Sequence, residues 1–415
     1  MGSKSRYFLN RMADFKEGSA PFRMSGELLR AKMTTIIREI LQVPLTRQNC
    51  DGGVYVGVAG MGYALWYAST KKEFERERED LMTEARQRIE YHLSWTKKDI
   101  PAEKAGYLLG SGGILVSAAL LHNSMGNVSK STEYVEAYAR LAETVMPQDF
   151  LPNGSDELFV GRAGYLMGVL NLRQKLRQEV LSESALTGLL RSVLESGRAQ
   201  SRATRSPFPL LYAYHGDHYW GAAHGLASVL QTLLSFPTQL RSVDADAWED
   251  VKGSVDALLS LQTEEGDWPV ALTHAVQPEL VQWCHGTPGL VWMLARAHAV
   301  YGEPKYLEAL RLGCELVWRR GLLRKGPGLC HGVAGNAYSF LALDWALGSS
   351  DPRSLHRAHS FAAYMDTRGF QRGSRVPDAP LSLFEGLAGT LCLYADLLAA
   401  ESGRPEFPLL PHAVD

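Results

Sequence analysis

Apolar residues along this chain recur mostly with a helical period. Leu29, Met33, Ile36, Ile37, Ile40 and Leu41 fall on one helical face, as do Val251, Val255, Leu258 and Leu259. The strict alternation that marks a strand is scarce. Between the amphipathic stretches lie shorter, nearly uniform apolar ones, such as Tyr63-Ala64-Leu65-Trp66-Tyr67 and Ala337-Tyr338-Ser339-Phe340-Leu341. A helix apolar on every side must be buried, so the pattern predicts buried helices alternating with half-exposed ones. Charged runs such as Lys71 to Glu90 fit the solvated face of the second kind.

Each apolar stretch opens on a glycine turn, and the turn repeats. Glycines three apart stand at Gly57/Gly60, Gly110/Gly113, Gly161/Gly164, Gly286/Gly289, Gly332/Gly335 and Gly386/Gly389, and Gly225 with Ser228 makes a seventh. Steps between the first glycines are 53, 51, 64, 61, 46 and 54 residues, so seven helical hairpins fill the 415 positions. The expected fold is all-α: an α/α toroid, a double ring of seven inner and seven outer helices, in a single domain over residues 1–415. Closing the ring would spare the terminal units from capping an open solenoid, although an open superhelix satisfies the same pattern. Glycine at the turns would let backbones approach closely and permit positive φ.

Composition narrows the function. The net charge of -2, from 43 basic and 45 acidic residues, offers no surplus for nucleic acid or an anionic membrane. The N-terminus lacks the apolar core of a signal peptide, and no apolar run is long enough to span a membrane. Met1-Gly2 opens like a myristoylation site, but Arg6 stands where Ser or Thr is wanted. Five cysteines, an odd number, read as reduced thiols in a reducing compartment. Cytoplasm is the expected location, with peripheral membrane association left open.

The chemistry gathers at the turns. Cys284-His285-Gly286-Thr287-Pro288-Gly289 and Cys330-His331-Gly332-Val333-Ala334-Gly335 share the form C-H-G-x-x-G and start 46 residues apart. If the units are equivalent, the residue before each first glycine faces a common place: Val56, Leu109, Val160, His224, His285, His331, Glu385. One position earlier the row reads Tyr55, Leu108, Phe159, Ala223, Cys284, Cys330, Phe384. Units four to seven thus bring histidines, cysteines and a carboxylate to one end of the ring, and the first three bring only apolar or aromatic groups. Thiolate and imidazole are preferred zinc ligands, so Cys284, Cys330 and one histidine suit a zinc site with a position open for a thiol. Periodicity alone leaves His285 and His331 equal as third ligand. His224 could move a proton beside them. Cys314 and Cys392 read as small core residues, and Cys50 as either core or site.

The turns resemble those of the LanC-like proteins, eukaryotic relatives of the cyclases that form lanthionine bridges in bacterial peptides. The likeness is carried by Trp283-Cys284-His285-Gly286, Gly328-Leu329-Cys330-His331-Gly332, Gly221-Ala222-Ala223-His224-Gly225 and the stretch from Asp156-Glu157-Leu158-Phe159-Val160-Gly161 to Tyr165, with Ser382-Leu383-Phe384-Glu385-Gly386 as a fifth. The resemblance implies a double-ring fold and one zinc on Cys284, Cys330 and His331. It makes His224 the catalytic histidine that protonates an enolate, with Asp156 as its acidic partner. It implies glutathione as bound co-substrate, held by Lys325, Arg375 and Arg6, and addition of its thiol to dehydroalanine or dehydrobutyrine in proteins or peptides.

Two other readings compete. A non-catalytic glutathione-binding zinc adaptor would need neither His224 nor Asp156. A carbohydrate-active toroid would need facing carboxylates, for which Asp156 and Glu385 are the candidates. Pro377-x-x-Pro380 has the form of a ligand for proline-recognising adaptor domains, although a plain loop explains it too.

Overall fold

The computed structural model describes residues 5–96, 100–273, 280–349, 351–399 and 405–412. Fourteen longer helices alternate between two layers. The outer ones are α1 (Gly26–Leu41), α3 (Arg78–Trp95), α5 (Val128–Ala139), α7 (Glu183–Thr204), α9 (Ala247–Leu259), α11 (Pro304–Arg320) and α13 (Pro352–Tyr364). The inner ones are α2 (Val58–Ser69), α4 (Gly112–Ser124), α6 (Arg162–Leu176), α8 (Leu226–Leu233), α10 (Thr287–Tyr301), α12 (Val333–Ala346) and α14 (Leu387–Ala399). Short helical turns fill several connections. The described residues contain only isolated β-bridges and no strand.

The layers follow from the apolar pattern. In α2 every residue except Tyr67 is buried, as a helix packed on all sides requires. In α1 the buried stripe is Leu29, Met33, Ile36, Ile37 and Ile40. Leu41, expected on that face, is 36% exposed at the helix end. Ser25, Asn127, Ser182 and Asp351 each accept a hydrogen bond from a first-turn N–H and so start α1, α5, α7 and α13. Each inner helix packs on the next, and α14 packs on α2, so the ring closes. The outer helix α1 covers α14, which joins the beginning of the chain to its end.

Glycine is needed at the turns for approach and not for handedness. The first glycines have φ of -74° at Gly57, -94° at Gly161 and -125° at Gly332, all on the ordinary side. The positive φ expected there is absent. A Cβ on the second glycine of a pair would instead strike a carbonyl oxygen six residues earlier. It would stand 2.0 Å from Val54 O at Gly60, 2.0 Å from Leu158 O at Gly164 and 1.7 Å from Leu329 O at Gly335. Van der Waals contact forbids this, so a side chain there would push the preceding turn away.

That approach lets the turns bond to one another. Tyr55 N–H donates to Leu108 O, Leu108 to Phe159 O, Ala223 to Cys284 O, Cys284 to Cys330 O, Cys330 to Phe384 O and Phe384 to Tyr55 O, at 2.8–3.1 Å. The row two residues before each glycine is therefore stitched into a belt of main-chain bonds. Side chains span the junction between Phe159 and Ala223. Six residues of this row are buried and Tyr55 is half-buried, while all seven of the next row, Val56 to Glu385, stay partly or fully open. The belt forms the floor and the next row forms the mouth.

Beneath the belt, the segment 405–412 fills the axis of the ring. Phe407 is 1% exposed and stacks on Trp283, with ring centroids 5.0 Å apart. Leu409 O accepts hydrogen bonds from the Tyr107 hydroxyl and Asn171 Nδ2. Among the described residues no helix is long and apolar enough to cross a membrane.

Candidate metal centre

The donor atoms of Cys284, Cys330 and His331 lie within 4.8 Å of one another. Adjacent turns α10 and α12 deliver them, and the bond from Cys284 N–H to Cys330 O, at 3.1 Å, fixes their spacing. Both cysteines are buried and His331 is half-buried at the mouth. A tetrahedral zinc with sulfur bonds of about 2.3 Å would hold its sulfurs roughly 3.8 Å apart, so the group needs only a small contraction to fit the ion. Two thiolates and one imidazole are also the right donor chemistry, leaving one coordination position for an incoming ligand. His285, which periodicity could not separate from His331, lies outside this cluster. Its ring stands 5.9 Å from His224 and 5.4 Å from Tyr219, and its buried Nδ1 has no hydrogen-bond partner among the described residues. Burial holds His285 below its ordinary pKa.

The two sulfurs differ. Burial alone would raise the Cys284 thiol, but hydrogen bonds from Cys330 and His331, with the nearby imidazoles, carry it well below its ordinary value. Burial and the Cys284 sulfur together push Cys330 up. Gln282 Nε2 donates to Cys284 Sγ at 3.3 Å. Burial, then the Cys330 sulfur, keep the Tyr55 phenol far above its ordinary value, so it remains a proton donor. All five cysteines are free thiols. Cys314 and Cys392 sit fully buried in the core, as their apolar neighbours suggested, and Cys50 is buried outside the cluster.

His224 lies one turn away, its ring stacked on Tyr214 at 4.4 Å and tilted against Phe159 at 4.8 Å. Its Nδ1 meets Glu157 Oε2 at 2.8 Å. Glu157, 3% exposed, also accepts the main-chain N–H groups of Phe159, Val160 and Gly161, which lock the carboxylate in place. The expected pairing of His224 with Asp156 is therefore corrected. Asp156 Oδ1 accepts from Arg162 Nε at 2.6 Å and Oδ2 from the Ser196 hydroxyl at 2.6 Å, on the side of α7. Neighbouring residues of one turn point opposite ways. Asp156 is committed to Arg162, so it also makes no facing pair with Glu385 of the kind a glycosidase would need.

Arg6, Lys325 and Arg375 come together. They line one cavity of about 710 Å³ with Arg324, Arg372 and Gln282. The first described residues fold back over the ring to make it: Phe8 N–H donates to Leu322 O, Arg324 N–H to Arg6 O and Arg375 N–H to Arg324 O. Among the described residues, five cations and no carboxylate line this space, and Gln282 joins it to Cys284. Pro377 and Pro380 border a separate groove; Pro380 is exposed and Pro377 half-buried, with Cγ 3.0 Å from where a Cβ on Gly326 would stand.

Three residues of this centre escaped the sequence reading. Tyr55 falls among the aromatic residues of the compared rows, Gln282 lies two residues outside them, and Glu157 stands beside the residue that the resemblance names. Glu157 stands four residues before Gly161, a register that a comparison two rows deep does not reach.

A family profile described as Lanthionine synthetase C-like protein matches residues 48–410. Among curated relatives, "Glutathione S-transferase LANCL1" of Danio rerio is 34% identical over 400 residues, covering 93% of each chain. "LanC-like protein GCL1" of Arabidopsis thaliana is 33% identical over 362 residues, covering 84% of this chain and 79% of its own. Among solved structures, "Nisin cyclase" superposes with a TM-score of 0.60 at 15% identity, over 91% of this chain and 99% of that one. At that identity the superposition speaks for the toroid fold alone.

Proposed function

We propose, from the premise that this chain belongs to the lanthionine synthetase C-like protein family, that it binds zinc and glutathione and adds the glutathione thiol to dehydroalanine or dehydrobutyrine residues of proteins or peptides. The observation that carries this reading is the convergence of Cys284, Cys330 and His331 within 4.8 Å, one turn from His224. Zinc, when bound there, would keep a thiol deprotonated at neutral pH. The rest falls to the protein's own side chains. Arg6, Lys325 and Arg375 would meet the two carboxylates of glutathione, using charge-assisted hydrogen bonds. Glu157 holds the Nδ1 side of His224 at 2.8 Å, which directs Nε2 to the substrate. One S–C bond forms at Cβ of the acceptor, the C=C π bond is lost, and His224 delivers the proton to Cα, with no change of oxidation state overall. The likeness to a named glutathione S-transferase supports the thiol chosen.

The test begins with zinc content. Wild-type protein should hold about one equivalent, and Cys330→Ala should lose it. Glutathione addition to a dehydroalanine peptide, followed by mass spectrometry, should disappear with it. Addition at the wild-type rate by Cys330→Ala would refute the proposal. His224→Asn should lose addition while retaining glutathione affinity; a wild type that binds glutathione but adds none of it to the peptide would point to a binder.

A further inference from the structure

The proposed chemistry, on which this inference rests, raises a question of selectivity. Two cysteine sulfurs would share the site with the incoming thiol, and any thiolate can attack an electrophilic double bond. Attack by Cys284 or Cys330 would alkylate the protein and destroy the ligand set. The Cys284 sulfur has something an entering thiol lacks: it already receives a hydrogen bond from a fixed donor.

Gln282 is 5% exposed, and its Nε2 donates to Cys284 Sγ at 3.3 Å. Its main-chain N–H is tied to Leu280 O at 2.8 Å. The Tyr55 ring stacks on Phe384 beside the cluster, with centroids 5.0 Å apart and planes 14° from parallel, and Phe159 lies 5.2 Å from it. A donated hydrogen bond draws electron density off sulfur and must break before that lone pair can reach carbon. We propose that Gln282 is a positioning residue that shields the Cys284 sulfur from the electrophile, so that the thiol entering from the cation-lined cavity reacts in its place. Gln282 serves both sides of this arrangement, because it lines the cavity and touches Cys284.

The experiment compares zinc-loaded wild-type protein with Gln282→Met, nearly isosteric but without a donor, and with Tyr55→Phe. Each is treated with iodoacetamide in the absence of glutathione. Modification of each cysteine is followed by peptide mass spectrometry, beside zinc content. Cys284 should be modified roughly fivefold faster in Gln282→Met, the factor carried by one hydrogen bond of ordinary net strength. Tyr55→Phe, which leaves that bond in place, should keep the wild-type rate at Cys284. The bulkier N-ethylmaleimide should show the same ratio; a gain confined to the small reagent would mean an opened gap and would overturn the proposal. An unchanged Cys284 rate in Gln282→Met with zinc retained would overturn it too, as would loss of zinc from that variant, since the donor would then only hold a ligand in place. A wild type without zinc would sink the proposed function alone. The shielding is then judged by the same rates on metal-free protein, in which this hydrogen bond persists.

Discussion

Replacing Glu157 by Gln tests the orientation of His224 with the smallest possible change of shape. The carboxylate accepts four hydrogen bonds: from Phe159, Val160 and Gly161 N–H, and from His224 Nδ1 at 2.8 Å. An amide supplies one oxygen where two are needed. If that oxygen stays with Val160 and Gly161, the NH2 group faces Phe159 N–H and His224 Nδ1. Nδ1 must then accept, and the ring proton moves to the substrate side in the neutral form. A hydrogen bond to a charged group is worth about 1.5–3 kcal/mol, so the rate of glutathione addition should fall roughly ten- to a hundredfold. Glutathione affinity should hold, because the cation-lined cavity is untouched. Asp156→Asn is the matched control. It leaves the guanidinium of Arg162, 0% exposed, without its carboxylate, and should cost roughly 3 kcal/mol of stability. Its folded fraction should turn over normally. The measurements are single-turnover addition to a dehydroalanine peptide and urea unfolding of both variants. Full activity in Glu157→Gln, together with a dead but stable Asp156→Asn, would refute the assignment.

Other consequences are open to measurement. Burial holds His92 and His359 at about 4, and each accepts a main-chain N–H at Nδ1, from Ala59 and Met24. The unfolded chain therefore takes up their protons first, so stability present above about pH 6.5 is lost as pH falls toward 4, by on the order of 3 kcal/mol for each ring. Flat urea midpoints between pH 7 and pH 5 would contradict this. Phe407→Ala removes a ring packed among Trp283, Trp292, Tyr338 and Phe384 and should destabilise by about 3–5 kcal/mol; an unchanged Tm would show that the axis can do without it. Gly335→Ala would place a Cβ 1.7 Å from Leu329 O, beside Cys330, and should lower zinc content even in folded protein. Arg375→Ala should weaken glutathione binding roughly tenfold at low salt and less at high salt, measured by calorimetry; equal affinity in both buffers would take Arg375 out of the site.

Much of this protein was legible in one dimension. The seven turns, the two kinds of helix and the gathering of Cys284 and Cys330 with a histidine were readable because local rules write them: an apolar stretch must be buried, a glycine must stand where a Cβ would fall within 2.3 Å of a carbonyl oxygen, and rare thiols and imidazoles recur in one register, although that register leaves His285 and His331 equal. The three cations were named together as what the family resemblance implies for glutathione. Only the return of the first described residues over the ring, through Arg6 O and Arg324 N–H, puts them in one cavity. The tertiary structure alone decided which carboxylate serves His224, because Asp156 and Glu157 are equivalent in composition and differ only in which side of the turn their Cβ faces. It alone brought Tyr55 to Cys330, joined α14 to α2 and drew Phe407 beneath Trp283. Those contacts join residues more than a hundred positions apart, and a periodic sequence carries no local record of which repeats will meet when a ring closes.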